Sequence, residues 1–358
     1  MNVTSAEGAI APTPAVSVAP PPPKERGWRL LLLALVCFLF VPAIPPLRAI
    51  VPIEQTLVLL TPALAACAWL GWRHGGRVWL ALAWSGVAVW VLLYPMAGGE
   101  EYAALARGWS LVLAAAFGAI GLFTSTRAFF GRALGAVALT LVACAVVVGV
   151  SGSTARRVER VVAAELSDRV ESSVSALRAR TSPELLQLER ERPERARALS
   201  RMVDDVESWL RQMAPFGANL FPAMLLFESL AALGLAWSLH HRLSRARLGP
   251  SLAAIREFRF DDQLIWGAIA GLVMVLLPRF AVAKGIGVNA LVFFGALYAL
   301  RGVGVMVWFL VAPGRWLGVV TIAMCCVLPI FWSIPVGLGL GDTYWDWRNR
   351  PRPPKPTT

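Results

Sequence analysis

GRALGAVALTLVACAVVVGV, residues 131–150, runs straight into SGSTARRVERVVAAELSDRVESSV, residues 151–174, and the contrast between them decides the fold. The first stretch carries a single charge, Arg132, in 20 positions. As a helix rising about 1.5 Å per residue it reaches about 30 Å, the thickness of a bilayer's hydrocarbon core. The second sets Val158, Val162, Leu166, Val170, Val174 and then Leu177 on one helical face, with Arg and Glu on the others. That is a helix with one side in water. The chain therefore leaves lipid near residue 150 and stays out of it for a charged insert, 151–214.

Working outward, eight more apolar blocks flank this junction: 28–45, 51–72, 78–97 and 104–125 before it, then 215–239, 264–283, 286–311 and 315–337. They should be helices, because lipid offers no partner to a free backbone N–H or C=O. The expected fold class is all-α: a polytopic transmembrane helical bundle of about nine spans, with eight as the alternative, and an extramembrane helical hairpin insert. The chain divides into a disordered Ala/Pro-rich tail (1–27), transmembrane helices 1–5 (28–150), the insert (151–214), transmembrane helices 6–9 (215–340) and a basic Pro-rich tail (341–358). The long leading tail and the Pro-rich exit at Pro42, Pro45 and Pro46 make 28–44 an anchor rather than a signal peptide.

Composition agrees with the blocks. Apolar residues make up 57% of the chain and charged residues 16%, against about 45–50% and 25% in soluble proteins, which excludes a soluble globular enzyme. Trp28, Trp72, Trp79, Trp109, Trp209, Trp266, Trp316 and Trp345 stand near block edges, where an indole ring meets both acyl chain and water. The net charge of +12 does not point to nucleic acid. The insert holds 12 Arg and 11 acidic residues, leaving 22 basic and 11 acidic residues mostly in short loops and tails. Such charge sets topology. With the N-terminus inside, 13 basic loop residues fall on the cytoplasmic side and eight on the other, the C-terminal tail among the eight. Four basic residues in that tail favour the eight-span alternative, with both ends inside.

Within the insert, Ser182-Pro183-Glu184 reads as the start of a second helix, a capping hydroxyl followed by proline at the first helical position. Leu185, Leu188, Leu199, Met202, Val206 and Leu210 continue a second apolar stripe, interrupted by Pro193. The insert zips on itself, or it docks a membrane-complex partner or a second copy.

Three stretches of the C-terminal half, in order, resemble one family. They are Glu228–Arg247 with the linker Pro250–Phe260 and Trp266; Asn289-Ala290-Leu291 with Ala296–Gly302; and Gly337–Asp342 with Trp345-Asp346-Trp347-Arg348. The resemblance is to the YybS-like bacterial membrane proteins, domain of unknown function 2232, over about residues 50–348. Arg301 departs from it, since a neutral polar residue such as Gln is expected there. That family is similar in fold to the substrate-capturing subunits of energy-coupling-factor transporters and to MreD-type envelope proteins. The resemblance implies a helical bundle in the bacterial cytoplasmic membrane and carries no established activity.

Ionisable groups deep in apolar blocks are the candidate site residues. Glu228 and Arg301 each lie near mid-span, where a lone charge costs at least about 2.5–3.5 kcal/mol, so each needs a partner or a cavity. Either they line a site for an ionised solute or they pair with each other and lock two helices. Asn219, Asn289 and Tyr298 are supporting polar groups. Gly339, Asp342, Asp346 and Arg348 form the family-like C-terminal motif and read as an interfacial cap. Adjacent His240-His241 and the five cysteines lack metal-ligand spacing, and no phosphate loop or catalytic set appears, so no cofactor and no enzyme activity are expected. Gly131-to-Gly135 and Gly267-to-Gly271 match the small-residue packing pattern. The functional expectation is a non-enzymatic multi-pass protein of the inner (cytoplasmic) membrane that captures a small solute, or a scaffold of an envelope complex.

Overall fold

The computed structural model describes residues 28–40, 53–96, 98–124, 128–150, 155–277, 279, 283–310 and 333–348. Ten α-helices follow in order: α1 Trp28–Phe40, α2 Ile53–Arg73, α3 Val78–Leu93, α4 Glu100–Phe123, α5 Phe129–Val150, α6 Ala155–Glu191, α7 Pro193–Leu243, α8 Ile265–Leu276, α9 Lys284–Leu310 and α10 Ser333–Trp345. Among the described residues there is no strand. Among the described residues five helices are long and apolar enough to cross a membrane: Glu54–Arg73, Glu100–Phe123, Phe129–Val150, Ala214–Leu243 and Lys284–Leu310. Three more apolar helices, Trp28–Phe40, Val78–Leu93 and Asp262–Leu276, are shorter. The expected count of about nine spans is not confirmed among the described residues. Most of the block read at 315–337 lies outside the described residues, as do the 1–27 tail and Trp316.

α2 is the most buried of the five long spans, because α3, α4 and α7 pack around it. Leu59, Leu64, Leu113, Phe117, Ala136, Leu233 and Trp237 form its core. A second, aromatic core joins α7 to α9: Phe260, Phe293, Leu297 and Tyr298 with Phe130, Phe227 and Phe258 against them. Close helix contacts use glycine selectively. Gly271 of the Gly267-to-Gly271 pair meets the Gly287 carbonyl, whereas a Cβ on Gly131 would meet nothing within 4 Å. Gly302 and Gly339 sit where any side chain would strike the carbonyls of Pro335 and Tyr298, which brings α10 onto α9.

α6 and α7 make the hairpin. It turns at Arg192, and the helix starts at Pro193 rather than at Ser182, whose hydroxyl instead donates to the Arg178 carbonyl inside α6. The reason is register. Starting at Pro193 puts Ala196, Val203, Glu207 and Leu210 on the inner face. There Leu210 packs on Val170 and Val174, while Glu207 pairs with Arg178 and Arg211. Met202 and Val206, expected in the stripe, point outward instead. α7 then continues unbroken into the membrane as a 51-residue helix, about 75 Å long at 1.5 Å per residue. The boundary drawn at residue 214 is not a break in the chain's structure. The hairpin and the 244–262 segment stand at opposite ends of α7.

Two expectations about position change. Trp109 is half-buried rather than interfacial: its indole N–H donates to Ser229 at 2.9 Å. Nine spans would also part the C-terminal motif from the 240–260 loop by a bilayer's thickness. Instead Arg348 donates to the Arg256 and Phe258 carbonyls at 3.0 and 3.1 Å, and Arg259 pairs with Asp346 at 2.8 Å. Both segments lie at the same end of the bundle.

Candidate functional site

Glu228 and Arg301 do not pair. Each sits in a separate buried polar group, assembled by different helices.

Arg301 is fully buried on α9, where its guanidinium is shared by two acids. Nε donates to Asp342 at 2.9 Å and Nη1 to Asp262 at 2.7 Å. Asp342, with no exposed surface, also receives Arg348 at 2.6 Å. The carboxylate of Asp342 thus lies between two guanidiniums. Asp346 lies one turn on, in the left-handed backbone region that Asp tolerates better than most residues. That turn brings the Trp345 and Trp347 rings together, with centroids 5.5 Å apart. Tyr298 presents its ring to Phe260 at 5.1 Å. Every charge of this group is answered by another within it, so its chemistry is that of a lock between α9, α10 and the 255–262 segment.

Asn289 is also committed. Its amide accepts from the Ala223 N–H at 3.0 Å and donates to the Asn219 carbonyl at 2.8 Å. Those two backbone groups face each other across one helical turn that contains Pro222. The side chain of α9 thereby bridges α7 at its proline, and Asn219 enters through its backbone alone.

Glu228 belongs to the other group. On α7, it is buried, and Oε2 accepts from the Gln55 amide of α2 at 2.7 Å. Gln55 in turn accepts from the Tyr102 hydroxyl of α4. Arg169, from the hairpin helix α6, lies over the Tyr102 ring at 4.5 Å and donates through Nε to Glu165 at 2.8 Å. The buried Glu165 carboxylate also takes the Gly99 N–H, at the start of α4, at 2.7 Å. A Cβ at Gly98, whose φ is +121°, would collide with that carboxylate, so the loop needs glycine there. Four helices thus converge on a string of Glu165, Arg169, Tyr102, Gln55 and Glu228. Charged side chains of this string keep unmade hydrogen bonds. Oε1 of Glu228 and both Nη atoms of Arg169 are buried and find no partner in hydrogen-bonding geometry.

Sequence reading found Glu228 and missed its neighbours. Gln55 was legible as one of few polar residues in the block 51–72, and Arg169 as four residues beyond Glu165 beside the Leu166 and Val170 stripe. Nothing in the sequence placed those two segments next to residue 228. Among the described residues no group of three His, Cys, Asp or Glu is set to hold a metal. His241 Nε2 accepts the Leu248 N–H at 3.2 Å, and His240 packs at Gly71.

A family model described as a predicted membrane protein (DUF2232) matches residues 32–343. No curated protein and no solved structure matches the chain.

Proposed function

The chain belongs to the DUF2232 family of predicted membrane proteins, and from that premise we propose a non-enzymatic role in the bacterial cytoplasmic membrane: capture of a small solute at Glu228. One observation carries this reading. Glu228 is a buried carboxylate with one oxygen on Gln55 and the other without a donor. A buried carboxyl oxygen without a donor is costly within apolar helices, and it persists most readily where a ligand completes it. The resemblance to YybS-like proteins, and through them to substrate-capturing transporter subunits, supports the same reading. The hairpin side lies outside the cell and the basic 244–262 side in the cytoplasm, on the balance of loop charge.

The test is purification in mild detergent followed by mass spectrometry of released small molecules. Wild-type protein should carry a solute that Glu228→Gln loses by about tenfold or more, since a charge-assisted hydrogen bond of about 1.5–3 kcal/mol disappears. Equal occupancy in both would reject the assignment.

A second reading has its own support. Met202, Val206, Trp209 and Phe216 are exposed along α7 at coiled-coil spacing, which favours a scaffold that holds a partner protein through the insert. Under that reading, co-purifying proteins depend on Met202 and Val206 and are indifferent to Glu228.

A further inference from the structure

The Glu228 group contains its own clue to ligand class. Arg169 enters it from outside the membrane helices, on the hairpin, and lies over the Tyr102 ring at 4.5 Å. Its Nε donates to Glu165, yet Nη1 and Nη2 are buried without an acceptor in hydrogen-bonding geometry. A guanidinium in this position gains a ring face and one carboxylate while leaving other donors unmade. It is an imperfect occupant. With Arg169 withdrawn, what remains is two buried carboxylates, Glu165 and Glu228, the face of Tyr102 and the Gln55 amide. That set attracts positive charge and repels anions. An aromatic face beside carboxylates suits an ammonium or guanidinium head, and nothing in the set favours a neutral ligand over water.

We propose that the solute is a small organic cation, a primary ammonium or guanidinium compound, and that Arg169 is a tethered surrogate occupying its place when the site is empty. This rests on the solute-capture reading above and adds the ligand class and the hairpin's part. The ligand competes with Arg169 for Tyr102 and the carboxylates. Displacing Arg169 removes the salt bridge that Glu165 makes beside its hydrogen bond from the Gly99 N–H, at the start of α4. Occupancy is therefore read out by the hairpin, which loosens as the site fills.

Methylguanidinium chloride is the probe, titrated calorimetrically into the full-length protein in mild detergent against sodium chloride at equal ionic strength. Arg169→Gln should bind it about tenfold tighter than wild type, because the competitor is gone. Arg169→Gln combined with Glu228→Gln should lose that gain. Equal affinity in wild type and Arg169→Gln, or a gain that survives Glu228→Gln, overturns the proposal. Should Arg169→Gln not fold, hydrogen exchange on wild type decides. The probe should speed amide exchange across residues 158–174, and unchanged exchange overturns the proposal. A co-purified solute that depends on Glu228 while methylguanidinium has no effect would leave solute capture standing and remove the cation and the surrogate. A solute indifferent to Glu228 removes the capture reading itself.

Discussion

Asp342 and Arg301 show how unequal two members of one ion group are. Asp342 is the shared acceptor: removing its carboxylate in Asp342→Ala leaves Arg348 and Arg301 buried side by side, with Asp262 still on Arg301 alone. Breaking a buried pair this way costs about 3–5 kcal/mol. Arg301→Gln is milder, because Asp342 keeps Arg348 at 2.6 Å; the expected loss is about 1–3 kcal/mol, that of unmet buried hydrogen bonds. Thermal melting in detergent should rank Asp342→Ala well below Arg301→Gln, and the reverse order would mean Asp342 is not the hub. The same residues mark the limit of reading depth from sequence. Glu228 and Arg301 were legible as buried charges that need partners. Their partners, Gln55 for one, Asp262 and Asp342 for the other, come from segments between 39 and 173 residues away, and no local periodicity carries that information.

At the scale of the element, the hairpin is where local rules and register compete. Ser182-Pro183-Glu184 has the chemistry of a helix start, yet it lies inside α6, and the start falls at Pro193. Either proline fits the first helical position. The inner face chooses, since only the later start seats Leu210 against Val170 and Val174. Pro183 is left in a helix interior, where proline costs about 3 kcal/mol. Pro183→Ala should therefore strengthen the hairpin, seen as slower amide exchange across residues 178–190; faster exchange would show that the proline fits without strain. The membrane-facing half of the hairpin packs outside itself, with Val162 and Leu166 on Tyr102, Ala218 and Phe221. That contact joins the insert to the Glu228 group, so the insert is an annex of the bundle rather than a separate unit.

For the whole molecule, topology is the property with the plainest test. Single cysteines at Ser172 on the hairpin and Ser251 beyond α7, in a background free of native cysteines, should react oppositely with an impermeant thiol reagent on intact cells, Ser172 labelling and Ser251 not. A tag added to the C-terminus should behave as Ser251 does, because Arg348 is held on Arg256 and Phe258; a tag reached from the hairpin side would contradict that contact. By itself the sequence determined the all-helical, membrane-embedded class, the charged insert and the identity of the buried charges, because hydrophobic length and period are local and the bilayer enforces them. Only the tertiary structure decided which helix is central, which end holds the C-terminal motif, and that Glu228 and Arg301 serve different groups. Those are choices among contacts between distant segments, set by which faces interlock and which charges are answered, and no stretch of chain encodes them alone.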